Sequence, residues 1–324
     1  MRTGENQPRT LSRGIDYLGD LGAKLRDLTG YSTLSCELIQ NADDAPGATW
    51  ISFNVTPSAL IVDNDGHFDS CGVPQEDACP WETAPRQKRL CDFHRFRRVA
   101  SGDKRGQEGT TGAFGIGFIS VYQITDRPEL ISSGEHWKLF EDRPEAERIE
   151  ACAGCGECQV GGRPPGTRFI LPWAFSPASP LRHRLRASPV PRQVEQEFLA
   201  TLQREVGQYL LFLKQLKEVR VLRDGIRLDT ITRRQQGKEL IVASTRDHQA
   251  YRLYSASFAR EAQALRNKYG DLIESKRRPE VTIAVSLDRQ LQGRLFACLP
   301  SLHDSGLPFH INADFYPQSD RKRI

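Results

Sequence analysis

Apolar positions recur with a helical period through residues 11–45, with one break near Thr29 and Gly30, which predicts two consecutive helices. The period then changes to two. Residues 49–55, TWISFNV, alternate apolar and polar as a half-buried strand does, TPSA makes a turn, and LIV at 60–62 returns as a second strand into the loop DNDGHF. Residues 69–111 lack periodicity and are rich in Cys, Arg and Gly, which predicts a long functional loop. A glycine-rich segment then opens a predicted helix at 118–125, FISVYQIT, and strands are expected near 128–140 and at 167–173, TRFILPW. Proline and arginine crowd residues 172–191 and mark a boundary. Beyond it, residues 193–217 predict a long amphipathic helix. The strand VRVL follows, then a turn at Arg223-Asp224-Gly225 and the strand-like runs ELIVAS, EVTIAVSL and GRLFACLP. The expected class is α/β, with a first domain over 1–185 that carries the Cys-rich lid and a smaller α/β domain over 186–324.

At 324 residues and 38% hydrophobic, the chain can bury a real core as one large or two ordinary domains. A net charge of +4 is too small to imply general nucleic-acid affinity. No apolar run approaches the roughly 18 residues a membrane helix needs, and the N-terminal MRTGENQPRTLSRG has no apolar signal-peptide core. A cytoplasmic location is expected, with the eight cysteines reduced or metal-bound rather than disulfide-paired. The chain stops at FYPQSDRKRI without a domain-ending signal, so it is expected to be a piece of a longer protein whose further domains are its partners.

In the second helix, Glu37, Asn41 and Asp44 are spaced by four and three and fall within roughly 60° on one face. Leu34, Leu38, Ala42 and Ala45 take the adjoining face, which must meet a core; Asp43 falls off the polar stripe and is expected to be a bystander. By itself such a stripe also fits the solvated edge of an amphipathic helix. An interior Asn, a poor helix former, asks for another reason. IVDNDGHF supplies one: Asp63, Asn64 and Asp65 end the second strand, where a carboxylate can accept from an exocyclic amine such as adenine's. Gly66 would let a flat ring approach the backbone. Read alone, it is an ordinary Asp/Asn/Gly turn. GTTGAFGIGFIS, residues 109–120, places Gly112, Gly115 and Gly117 ahead of a helix start, where exposed N–H groups suit phosphate. It is neither a Walker A loop nor a Rossmann fingerprint.

Two groups have zinc-ligand chemistry. Cys71, Cys79, Cys91 and His94 form a complete four-ligand set, whereas Cys152, Cys155 and Cys158, spaced C-x2-C-x2-C, lack a fourth ligand that His136 or a distant cysteine would supply. Zn2+ at the four-ligand set would staple the lid loop. The basic run RQKRLCDFHRFRR, 86–98, reads as a lid face or a source of phosphate contacts rather than a nucleic-acid patch.

With ELIQNADDA, DNDGHF and GAFGIGFISVYQITD in this order, the sequence resembles the GHKL, or Bergerat-fold, ATPases. Within them it is most similar to the chaperone-like ATPase region of sacsin and to the ninety-kilodalton heat-shock chaperones. SGDK (101–104), GTRFILPW and LPFHINADFYPQSDRK add to the likeness. The resemblance implies a Bergerat-type α/β sandwich followed by a transducer-like domain. It implies ATP and Mg2+ as ligands, with Glu37 as general base, Asn41 on Mg2+ and Asp44 lining the nucleotide pocket. Gly112, Gly115 and Gly117, with the N–H groups of Phe114, Ile116 and Phe118, would cradle phosphate, and Lys104 would reach it on lid closure. Thr167 would support the adenine site. The family's D-x-G-x-G reads D-N-D-G-H-F here. Alignment on the strand makes Asp63 the adenine-binding acid, the assignment favoured; alignment on Gly66 gives Asn64, with Asp65 beside it. Arg321 or Lys322 would return to the γ-phosphate. The implied function is an ATP-hydrolysing conformational switch in a larger chaperone-like protein, possible settings including bacterial defence, and the family implies an ATP-dependent homodimer. The alternative is a nucleic-acid-processing ATPase of MutL or topoisomerase type.

Overall fold

The computed structural model describes residues 16–28, 30–98, 117–156, 166–270 and 278–315. Its helices are α1 (Tyr17–Asp27), α2 (Tyr31–Asp44), α3 (Pro80–Thr83), α4 (Asp92–Arg97), α5 (Pro180–Leu185), α6 (Val194–Tyr209) and α7 (Ala259–Tyr269), with a 3-10 helix at Gly117–Gln123. Its strands are β1 (Trp50–Val55), β2 (Ala59–Asn64), β3 (Glu129–Ser132), β4 (Glu135–Leu139), β5 (Ile149–Ala151), β6 (Thr167–Pro172) and β7 (Glu218–Arg223). They continue with β8 (Ile226–Gln236), β9 (Glu239–Ala243), β10 (His248–Ser257), β11 (Glu280–Ser286), β12 (Arg294–Ala297), β13 (Leu299–Asp304) and β14 (His310–Ala313). The described strands form one large mixed sheet in the order β13-β12-β14-β11-β10-β9-β8-β7-β1-β2-β6-β3-β4-β5. The fold is thus α/β. Among the described residues, no helix is long and apolar enough to cross a membrane.

Two features carry the sheet across the boundary expected near residue 185. β1 pairs in parallel with β7, Ile51 opposite Val219 and Phe53 opposite Val221. Helix α6 buries Val194, Phe198, Leu202 and Val206, a stripe at intervals of four that faces the core of the first region. Phe198 packs its ring 5.8 Å from Tyr31 of α2 and 6.2 Å from Phe53 of β1.

The helix expected over 193–217 ends earlier, at Tyr209, and passes through a 3-10 turn at Leu210–Phe212. The cause lies far away in sequence. The buried carboxylate of Asp43 accepts the backbone N–H groups of Lys214 (3.0 Å), Gln215 (2.8 Å) and Leu216 (2.9 Å). Those groups leave the helical ladder and the chain turns extended into β7. Asp43 is no bystander: it fixes the junction between α6 and the sheet. The helix expected at 118–125 is a 3-10 helix, wedged between α1 and α2. Ile119, Ser120, Val121 and Tyr122 are all buried, so packing on every side replaces the single apolar face of an amphipathic α-helix.

Candidate functional site

A cavity of about 380 Å³ opens between α2, the β2–β6 pair, the start of the 3-10 helix and the 67–98 segment. Helix α2 contributes Glu37, Asn41 and Asp44 to its wall, as their shared face requires. Glu37 is 1% exposed. Gly117 presses against it: a Cβ at 117 would collide with Oε2 of Glu37 and stand 3.8 Å from Nδ2 of Asn41. At the α6–β7 junction Lys214 pairs with Asp44, its Nζ 3.6 Å from Oδ1.

The opposite wall is a row of cross-strand neighbours. β2 and β6 are antiparallel, with Asn64 opposite Thr167 and Val62 opposite Phe169, and all four line the cavity. Strand residues alternate faces, so Asp63 and its partner Arg168 point the other way. There Arg168 donates Nε to Asp63 Oδ1 at 2.7 Å and Nη2 to Oδ2 at 2.9 Å. Asp63, favoured from the strand alignment as the adenine partner, therefore lies outside the cavity wall, and Asn64 lies in it. Asp65 is engaged locally. It accepts the N–H of Thr49 (2.7 Å) and of Trp50 (3.0 Å) and the Thr49 hydroxyl (2.5 Å). Burial opposes its charge, but these donors outweigh burial and hold its carboxyl below the usual range.

Thr167 is 2% exposed and its hydroxyl donates to the Gly66 carbonyl at 2.8 Å. Ser132 Oγ lies 2.8 Å from Thr167 Oγ1 and accepts the N–H of Phe68 at 3.0 Å. Since Thr167 spends its single proton on Gly66, the Ser132 hydroxyl must donate to Thr167. The chain Phe68–Ser132–Thr167–Gly66 thus has a defined direction and locks the 66–68 loop over the sheet. Gly166 completes the lock, because a Cβ there would strike the backbone of Asn64, Asp65 and Gly66.

The remaining wall comes from the segment expected as an irregular lid. Arg89, Arg95 and Arg98 line the cavity from the basic run, each held by an acid: Asp69 at 2.7 Å, Asp92 at 2.7 Å and Glu82 at 3.2 Å. Asp69 and Asp92 also exchange backbone bonds, Asp92 N–H to Asp69 at 2.6 Å and Asp69 N–H to Asp92 at 3.0 Å. Burial, then the neighbouring Asp69 carboxylate, raises the Asp92 carboxyl against the N–H bond and arginines that lower it. Individually these residues carried no motif; the basic composition was the only sequence signal for them. The far end of the cavity holds Glu141, which accepts Tyr122 and Tyr17 hydroxyls at 2.5 and 2.6 Å and was not foreseen at all.

Both Cys/His groups come together in space. The ligand atoms of Cys71, Cys79, Cys91 and His94 lie within 4.8 Å of one another, as do those of His136, Cys152 and Cys155. In the second group Cys155 Sγ is 3.3 Å from His136 Nδ1, and His136 Nε2 is 2.8 Å from Glu129. No described cysteine forms a disulfide. Lys104, Gly112, Phe114, Gly115, Ile116, Cys158, Arg321 and Lys322 lie outside the described residues.

Residues 23–146, which hold α2, the group Cys71, Cys79, Cys91 and His94 and the whole 3-10 helix, match the family model of the Sacsin domain. This part of the chain is sacsin-like. The chain is similar to sacsin of Homo sapiens, 24% identical over 354 residues, covering 89% of this chain and 8% of that protein. It is similar to Protein NO VEIN of Arabidopsis thaliana, 32% identical over 107 residues, or 32% of this chain and 3% of that protein. The chain therefore spans less than a tenth of either relative. Among solved structures, it resembles one described as the crystal structure of the N terminal domain of a DNA repair protein. There the identity is 12%, the TM-score 0.46, and the coverage 93% of this chain and 89% of that one.

Proposed function

We propose that the chain binds ATP with Mg2+ in the cavity and hydrolyses it, serving as a nucleotide-driven conformational switch in a larger, sacsin-related cytoplasmic protein. The observation that carries this reading is the convergence of Glu37, Asn41 and Asp44 with Asn64 and Thr167 around one cavity of about 380 Å³. That volume suits a small ligand. The donor set suits a nucleotide: amide and hydroxyl groups at the sheet end, arginines at the lid, acids on the helix, and the apolar faces of Val62, Phe118 and Phe169 between them.

In this reading the fold is a Bergerat-type sandwich of the GHKL class. Asn64 and Thr167 orient the base, and the loop held by Gly166 keeps the backbone of Gly66 within reach of its ring. Asn41 would hold Mg2+, which supplies charge neutralisation along the phosphates. Glu37 takes the proton of a water whose oxygen attacks the γ-phosphorus, while the bond to the bridging oxygen breaks and ADP leaves. Burial beside Gly117 fixes the Glu37 carboxylate in one place, which a general base needs. The family resemblance would add phosphate contacts from Lys104, Gly112, Gly115 and Gly117 and from Arg321 or Lys322, and self-association on ATP.

The test is a calorimetric titration of the chain with ATP and with GTP, each with and without Mg2+. ATP binding that strengthens with Mg2+ and exceeds GTP binding is expected. Absence of ATP binding would overturn the reading.

A further inference from the structure

The described part of the segment that follows β2, residues 65–98, sends Leu90 and Phe93 into the main core but has little regular structure. It contains only α3 and α4, of four and six residues. Helices this short do not hold themselves together. Yet the segment delivers ordered side chains to the cavity wall. Besides the ring contacts of Phe68, Phe93 and Phe96, the knot of Cys71, Cys79, Cys91 and His94 brings its distant parts together.

Four observations identify the knot as a metal centre. First, three sulfurs and one imidazole nitrogen lie within 4.8 Å of one another. His94 Nδ1 is 3.1 Å from Cys91 Sγ and 3.5 Å from Cys71 Sγ. Tetrahedral zinc, with bonds of about 2.0–2.3 Å, places neighbouring ligand atoms roughly 3.4–3.8 Å apart, so the cluster is near the size of a zinc shell. Second, the tautomer is set for ligation. His94 Nε2 lies 3.0 Å from the Glu76 carbonyl, which can only accept, so Nε2 carries the proton and Nδ1 turns its lone pair to the sulfurs. Third, the Cys91 N–H donates to Cys79 Sγ at 3.4 Å, which holds the two cysteines side by side. Fourth, Cys79, Cys91 and His94 are at most 2% exposed, and none of the three cysteines is in a disulfide.

We infer that Cys71, Cys79, Cys91 and His94 bind one structural Zn2+, which clamps the 71–94 segment and so holds the arginine wall of the cavity in place. Three thiolates and one imidazole select zinc over magnesium or calcium, whose ligands are oxygens. Four protein ligands leave no open position, so the ion is structural rather than catalytic. Its hold reaches the cavity through the residues next to two of the ligands: Asp92 follows Cys91 and pairs with Arg95, which follows His94.

The test uses the full 324-residue chain carrying Cys155→Ser, which removes a ligand from the second Cys/His group and leaves the first intact. Metal content is measured by plasma mass spectrometry after purification without chelator. Cobalt is then exchanged in, and the absorption of a tetrahedral thiolate centre is recorded. The expected result is one zinc per chain, an intense sulfur-to-cobalt charge-transfer band, and loss of both when Cys79→Ser is added. A Cys155→Ser chain without zinc and without the cobalt band overturns the inference. So does a Cys79→Ser, Cys155→Ser chain that keeps the full signal. If the double variant does not fold, Cys71→Ser, at the half-buried edge of the group, replaces Cys79→Ser and must lose the same signal, and neither readout depends on nucleotide binding.

Discussion

Gly117 and Glu37 occupy one shared space: the carboxylate of Glu37 fills the place where a side chain at 117 would begin. The end of the glycine-rich segment and the polar face of α2 are therefore one construction. Gly117→Ala would push the flexible end of Glu37 aside at little cost to the fold, about 1 kcal/mol, because a carboxylate tip yields more readily than backbone. The expected outcome is a chain with a near-normal thermal midpoint whose ATP hydrolysis falls about 100-fold, within the range a general base supplies. Steady-state phosphate release beside a melting curve checks both halves.

Asp43 accepts three backbone N–H groups of the α6–β7 junction and is 1% exposed. Its replacement by Ala leaves three donors without that acceptor and frees the nearby Arg233, which burial already destabilises as a cation and Asp43 supports. A loss of about 3 kcal/mol is expected, given the penalty for unmade bonds to a charged group. Urea denaturation would show it, and Asp43→Asn should recover only part.

Asp63 faces away from the cavity and Thr167, the cross-strand partner of Asn64, faces into it, so variants at 63 and 167 should separate. Asp63→Asn removes the charge and one of the two bonds to Arg168, costs about 1 kcal/mol of stability, and leaves ATP affinity within about threefold of the original chain. Thr167→Val keeps the shape but removes the bonds to Gly66 and Ser132. It should weaken ATP binding about tenfold, since one such bond is worth about 1 kcal/mol or more. Equal effects of both changes would contradict the assignment of faces.

His310 on β14 gives the fold an acid limit. Its Nδ1 accepts the Arg294 N–H at 3.1 Å and its ring packs 5.0 Å from Phe296. Burial, then the Arg294 charge, lowers its pKa from 6.5 to about 4. The native state holds the ring neutral, while the unfolded chain protonates it near its ordinary value. Stability from this group is complete above pH 6.5 and is lost as pH falls through 4, to a total of about 2–3 kcal/mol. The thermal midpoint of the unmodified chain should drop more steeply between pH 6.5 and 4 than that of His310→Gln.

The polar stripe of α2, the strand pair β1–β2 and the group Cys71, Cys79, Cys91 and His94 were legible in the sequence, because each lies within one stretch of chain, whereas His136 was only one of two choices to join Cys152 and Cys155. What was not legible depends on distant partners. The face of Asp63 is decided by β2's place beside β6, over 100 residues away in sequence. The end of α6 is decided by Asp43, 171 residues from Lys214. Strands β8 and β10 were not singled out because much of each is exposed, so their sequences, IRLDTITRRQQ and HQAYRLYSAS, show no clean apolar alternation. Of the cavity wall, the arginines were readable only as a charge run, and Glu141 sat in no pattern at all.

The central claim is that Glu37 acts on a water beside bound ATP rather than in holding ATP. Binding and turnover of ATP by Glu37→Gln, measured side by side with the unmodified chain, test it most directly. The account predicts affinity within about threefold of the unmodified chain and hydrolysis lower by about 100- to 10,000-fold. Hydrolysis unchanged by the substitution would contradict it.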